Sequence, residues 1–123
     1  MEEMNESSRT FAADDRFLRR IHPQYYDPNT GKVASGAFQN ASDTNRMSVN
    51  WMKLSTVDDT LRGYPGFGVA SISAKLCWLL DQNIEGIPSE ENPAHCDIVG
   101  AKPKPVRRKF RDRAEYLRYP SLA

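Results

Sequence analysis

Histidine and cysteine are scarce, two of each in 123 residues, and that scarcity removes several chemistries at once. Cys77 and Cys96 cannot build a disulfide framework, and in a reducing compartment each reads as a small buried hydrophobe. Adding His22 and His95 makes four nominal zinc ligands, but their scatter lacks the paired spacing of zinc sites, so no metal is expected. No apolar run approaches the ~20 residues that span a bilayer. The longest is Leu76-Cys77-Trp78-Leu79-Leu80. The N-terminus, Met1-Glu2-Glu3-Met4-Asn5-Glu6, is acidic and lacks the apolar segment of a secretory signal. The cytoplasm is therefore the expected compartment, with no membrane partner. Gly63, Gly66 and Gly68 do not precede the lysine and hydroxyl residue of a phosphate loop. They read as turn chemistry, and no cofactor is expected.

The chain does hold an uneven distribution of charge. The formal net charge is +1, yet residues 101–123 carry eight bases against two acids, while residues 21–100 carry five bases against nine acids. With 39% apolar and 27% charged residues, the composition suits one modest core with polar ends. The expected organisation is a flexible acidic leader over 1–13, a compact α+β domain over 14–100, and a basic linker and helix over 101–123.

Periodicity supplies the elements. In Arg16-Phe17-Leu18-Arg19-Arg20-Ile21, alternation and the nearby Pro23 favour a strand. Asp27-Pro28-Asn29-Thr30-Gly31 is a turn by composition. Ala34–Gln39 is expected to be extended, forming a hairpin or neighbouring strand with Arg46–Met52, whose Met47, Val49 and Trp51 share one face. Ser55-Thr56-Val57-Asp58-Asp59 has the hydroxyl cap and early acids of a helix start. An extended run over 67–72 follows, and Ser73 caps a second helix to about Gln82 with Leu76, Leu79 and Leu80 on one face. Residues 84–87 are a short strand. After Pro93 the chain enters Ala94–Val99 extended, which sets His95 and Asp97 side by side on one face. Finally, Val106, Phe110, Ala114 and Leu117 recur at helical spacing, predicting a helix from Val106 to Leu117. The fold class is α+β: a small mixed or antiparallel sheet packed by two or three helices.

Leu18-Arg19-Arg20-Ile21-His22-Pro23, then Ser35 with Phe38, Met47-Ser48-Val49, and Asn92-Pro93-Ala94-His95 with Val99-Gly100 form a set of short motifs. The set resembles that of a group of small bacterial proteins without an established activity, over about residues 16–100. The resemblance implies a compact bacterial domain and no mechanism. The order of the motifs is also loosely similar to the ADP-ribosyltransferase-like architecture, in which arginine or histidine grips a dinucleotide and serine supports it. That likeness implies a nucleotide- or phosphoester-directed pocket of His22, His95, Arg19, Arg20, Ser35 and Ser48, with Glu85, Glu90 and Glu91 as candidates for its glutamate.

Each suspect has a plainer reading. Arg19 and Arg20 can pair with Asp14, Asp15 or Asp97, and His95 can sit in a satisfied polar strand face. The basic segment offers Lys102, Lys104, Arg107, Arg108, Lys109, Arg111, Arg113 and Arg118 to phosphates, with Phe110, Tyr116 and Tyr119 available to stack on bases. It can equally meet an acidic protein or dock on the acidic middle of its own chain. Without a complete catalytic set, the expected role is a non-catalytic accessory or interaction module of a bacterial cytosolic multi-protein system. It engages a protein partner through its termini, with an enzyme or a nucleic-acid-binding protein as the alternatives.

Overall fold

The computed structural model describes residues 10–121. In chain order the elements are β1 (Arg16–Ile21), β2 (Tyr26–Asp27), β3 (Lys32–Val33), β4 (Arg46–Trp51), α1 (Val57–Leu61) and β5 (Gly68–Ser73). They continue with α2 (Ala74–Leu79), β6 (Asn83–Gly86), β7 (His95–Val99), α3 (Lys104–Arg113) and β8 (Glu115–Arg118). Six strands form one sheet in the order β6-β7-β4-β1-β5-β8, with every pairing antiparallel, while β2 and β3 make a separate ribbon. The α+β class is thus realised in its antiparallel form.

Strand alternation divides the sheet into two unlike faces. On the main face, Phe17 and Ile21 of β1, Met47 and Val49 of β4, Ala70 and Ile72 of β5, and Cys96 and Ile98 of β7 are all buried. They pack with Ala74, Leu76 and Cys77 of α2 and with Phe110 of α3 in one core. Phe110 stacks on Phe38 with ring centroids 6.0 Å apart. On the reverse face α1 covers only the middle of the sheet, where Leu18, Val69, Ser71, Asn50 and Thr60 are buried. The outer part of that face, on β4, β6 and β7, carries Arg46, Ser48, Glu85, His95 and Asp97.

Local chemistry explains the short helices. The Thr56 side chain accepts the Asp59 amide at 3.0 Å to start α1, and that of Ser73 accepts the Leu76 amide at 3.1 Å to start α2. Both caps agree with the sequence reading, but α2 stops at Leu79 and leaves that leucine 66% exposed, away from the expected shared face.

Three expectations are corrected. The segment expected to be extended over 34–39 contains a 3-10 turn, Ser35–Phe38, and β4 pairs with β1 and β7 instead. The turn sends the adjacent residues Ala37 and Phe38 both into the core, which a strand cannot do. The C-terminal helix ends at Arg113, and Glu115–Arg118 is a strand that pairs with β5, so only Phe110 of the expected apolar face is fully buried. The acidic leader expected over 1–13 falls outside the described residues as far as residue 9. Within 10–13, Phe11 packs edge-on against Phe17 and Trp51, at 5.2 and 5.1 Å, and the Ala13 carbonyl accepts the Lys75 amide. That part of the segment is fastened to the core.

Candidate functional site

The exposed part of the reverse face gathers the most polar chemistry. Register places Asp97 directly opposite Ser48 on one side and Glu85 on the other, with His95 opposite Asn50. Two neighbouring carboxylates need a cation, and Arg46 supplies it, its Nη1 lying 2.9 Å from Glu85 and 3.1 Å from Asp97. Those two hydrogen bonds, the one to Glu85 first, hold the guanidinium above its ordinary pKa. His95 Nε2 lies 3.0 Å from Asp97 Oδ1, as the alternation predicts. A second chain of polar contacts runs inward: Asn92 donates to Asn50, Asn50 donates to Thr60, and Thr60 meets Ser55. The groups of this face satisfy one another, and Ser48 stands exposed beside them.

The other motif residues lie elsewhere. His22 is exposed just past β1, where its Nδ1 accepts the Gln24 amide at 2.9 Å and its ring meets Phe67 edge-on at 4.9 Å. It is a cap for the 3-10 turn Pro23–Tyr25. Leu18 lies opposite Asn50 and Asn50 opposite His95, while His22 is four positions beyond Leu18. The two imidazoles are therefore anchored roughly 13 Å apart along the strands and about 10 Å apart across them. Arg19 and Arg20 point to opposite faces. Arg19 donates to the carbonyls of Ala37, Ser48 and Gln39, and burial pulls its pKa down to about 10, still fully charged near neutrality. Arg20 donates to the Thr60 carbonyl and lies 3.9 Å over the Tyr64 ring. The ion pairs expected with Asp14, Asp15 or Asp97 are replaced by backbone carbonyls that fasten the 3-10 turn and α1 to β1. Ser35 opens the turn of 35–38, while Glu90 and Glu91 are exposed in the loop before β7. Of the proposed catalytic residues, Ser48, His95 and the candidate glutamate Glu85 thus share the reverse face, with Arg20 on that face beside α1, whereas Arg19, His22 and Ser35 lie elsewhere.

The basic segment divides as well. Lys102 is buried, and its Nζ donates to Asn40 Oδ1 and to the carbonyls of Ile98 and Gly100 at 2.6, 2.8 and 3.0 Å. Its pKa is pulled down to about 8 by burial, and the neighbouring Cys77 thiol is pushed up to about 12 by the same cause. Lys102 is an internal brace and is withdrawn from the expected contact set. Phe110, expected to stack on bases, is withdrawn too, because it is 0% exposed. Arg118 reaches Asp58 at 3.5 Å and Arg111 pairs with Asp112 at 2.9 Å. Lys104, Arg107, Arg108, Lys109 and Arg113 have no carboxylate within ion-pair distance among the described residues.

Beside this helix lies a trough between the β2–β3 ribbon and the corner where α3 turns into β8. It consists of two adjoining grooves of about 430 Å³ each, which share Lys32, Val33 and Arg111. Tyr116 and Tyr119 line one, Tyr25 and Tyr26 the other. The rings are held in place: Tyr116 donates to the Arg111 carbonyl at 2.7 Å, and Gln39 donates to the Tyr25 hydroxyl at 2.7 Å. Burial raises the Tyr116 pKa to about 12, so it remains a donor. Tyr119 stacks on Tyr116 at 5.4 Å and meets Tyr26 at 5.5 Å. Gly68 permits this corner, since a Cβ there would strike the Arg118 carbonyl and Pro120. Sequence reasoning found Tyr116 and Tyr119 but missed Tyr25, Tyr26 and Lys32. The available signal was a tandem of tyrosines directly before a hairpin turn with a lysine directly after it.

Comparison with known proteins returns no matching family model, curated protein or solved structure. Among the described residues no helix is long and apolar enough to cross a membrane, and no three His, Cys, Asp or Glu side chains gather as a metal site.

Proposed function

We propose that this chain is a non-catalytic binding module that holds a polyanionic partner on its C-terminal corner, the exposed side of α3 and the tyrosine-lined trough beside it. One observation carries the reading: α3 docks on its own domain through an apolar side chain, Phe110, and leaves five cations without acidic partners among the described residues. A helix that used its charges to dock would have spent them on the acidic middle of the chain, and among the described residues Arg118 is the one C-terminal base that does so. Uncommitted cations on a folded helix raise the local concentration of anions, and no backbone has to be ordered for them to make contact. This keeps the accessory role expected from the sequence and moves its contact from flexible ends to a folded surface.

The test uses heparin and polyglutamate columns as polyanion probes. Wild-type protein is retained and elutes with salt, whereas Arg108→Glu/Lys109→Glu elutes at distinctly lower salt with an unchanged circular dichroism spectrum. Failure of the wild type to bind either column at low salt overturns the reading.

A further inference from the structure

The trough combines two features that a plain basic patch does not need. Flat aromatic rings come from two separate parts of the chain, the turn and ribbon over 23–33 and the α3–β8 corner, and the two cations Lys32 and Arg111 sit where the two grooves join, with Asp27 lining one groove and Asp112, 2.9 Å from Arg111, lining the other. An acidic protein surface can be met by cations without an aromatic slot beside them. Rings and cations together suit a ligand whose flat π-faces are joined by phosphates, because stacking accepts any base and the cations follow the backbone.

The helix extends this pattern. Arg111 and Asp112 line the trough, and Arg107 and Arg108 lie one turn earlier on the same side, with Lys104 a further turn away. The positions from Lys104 to Arg111 span roughly 10 Å of helix. Arg108 and Lys104 are exposed, and neither has an acidic partner among the described residues. They form a basic ridge leading out of an aromatic slot.

From this geometry we infer that the trough is a binding site for a short single-stranded stretch of nucleic acid. The bases stack against the tyrosine rings, and the phosphates run over Lys32 and Arg111 and onto Arg108 and Lys104. A duplex keeps its π-faces inside its own stack and cannot use the tyrosines. This inference rests on the reading of the corner as a polyanion surface and names the class of polyanion.

Fluorescence anisotropy with labelled oligouridylate and oligothymidylate tests it, with a duplex of mixed sequence and polyglutamate as competitors. Wild-type protein binds the single strands with a Kd of about 10⁻⁴ to 10⁻⁶ M at moderate salt, weakening as salt rises. Tyr119→Ala weakens single-strand binding by about 5- to 100-fold, and Tyr119→Phe restores it. Tyr119 is 47% exposed, and the phenylalanine variant keeps its packing in case the alanine variant loosens the corner. Stronger binding of the uridylate assigns RNA as the source of the ligand, and stronger binding of the thymidylate assigns DNA. Three results overturn the inference while leaving the polyanion surface standing: unchanged binding by Tyr119→Ala, polyglutamate competing as well as the single strands, or the duplex binding tighter than either. Absence of binding to every polyanion overturns both.

Discussion

Two charged regions of this molecule differ in how their charge is used. On the reverse face of the sheet, Arg46, Glu85, His95 and Asp97 answer one another at 2.9–3.1 Å, so that each of the four has a partner. On the C-terminal corner, five cations have no acidic partner among the described residues, and beside them Tyr25 and Tyr116 are fixed by hydrogen bonds while Tyr119 rests on Tyr116 and Tyr26. The first region is richer in residue types associated with catalysis, and the second is freer to act. A polar cluster whose members satisfy each other holds strands in register, whereas function requires groups whose partners come from outside.

The sharpest way to break the comparison is to detach the corner from the domain. Phe110→Ala removes the aromatic side chain that joins α3 to Phe38 and the core. A loss of about 3–5 kcal/mol in unfolding free energy, measured by denaturant titration, is expected from truncating a fully buried phenylalanine. Polyanion binding should fall with it, because the cations lose their scaffold. Normal stability would mean that α3 is only loosely attached.

A smaller effect comes from the buried brace beneath the corner, and it depends on pH. Lys102 titrates near 8 in the folded chain and near 10.4 when unfolded, so between those values the unfolded chain binds more protons and stability rises with pH. Cys77 titrates near 12 folded and near 8.5 unfolded, so stability falls with pH above about 8.5. The two slopes oppose each other over the same window and should nearly cancel in the wild type. Cys77→Ala unmasks the lysine, and stability should climb by on the order of 2 kcal/mol between about pH 8 and 10.4. Lys102→Met unmasks the thiol and should give the opposite slope. Parallel pH profiles for the two variants would contradict the burial of this pair.

Much of the fold was legible because strand alternation and helix caps are local signals. β1, β4 and β7 follow their apolar alternation, and Thr56 and Ser73 sit where their helices begin. What was not legible depended on contacts distant in sequence. Nothing near Ala114 announces that the helix stops so that Glu115–Arg118 can pair with β5, and nothing near Lys102 announces three acceptors collected from Asn40, Ile98 and Gly100. The site followed the same division. The basic residues were visible in composition, but the trough needs Tyr25, Tyr26 and Lys32 brought against Tyr116 and Tyr119 across more than eighty residues of chain. His95 and Asp97 were correctly paired, because their neighbourhood is set by two residues on a single strand.

Within the satisfied cluster the effects become smaller. Asp97 accepts from both His95 and Arg46 and is almost buried, so Asp97→Ala leaves two groups short of an acceptor. About 1–2 kcal/mol of stability should be lost. Binding of single-stranded oligonucleotide should remain at the wild-type level, since nothing on this face belongs to the trough. A parallel loss of binding would connect the two regions.

The smallest effect is expected where the sequence looked most suggestive. His22 contributes one capping hydrogen bond and edge contacts to the Phe67 and Tyr25 rings, and His95 one contact to a carboxylate that Arg46 also holds. Removing both as His22→Ala/His95→Gln should lower stability by only about 0.5–1.5 kcal/mol, because the interactions lost are few and lie at partly exposed sites. Oligonucleotide affinity should not change, and its salt dependence should keep the same slope because no phosphate-binding cation has been removed. The comparison is most informative beside Tyr119→Ala, which touches no histidine and should weaken binding. If instead the double histidine variant loses binding and Tyr119→Ala does not, the ligand lies on the sheet face, and the ion network there is a resting state that the ligand displaces.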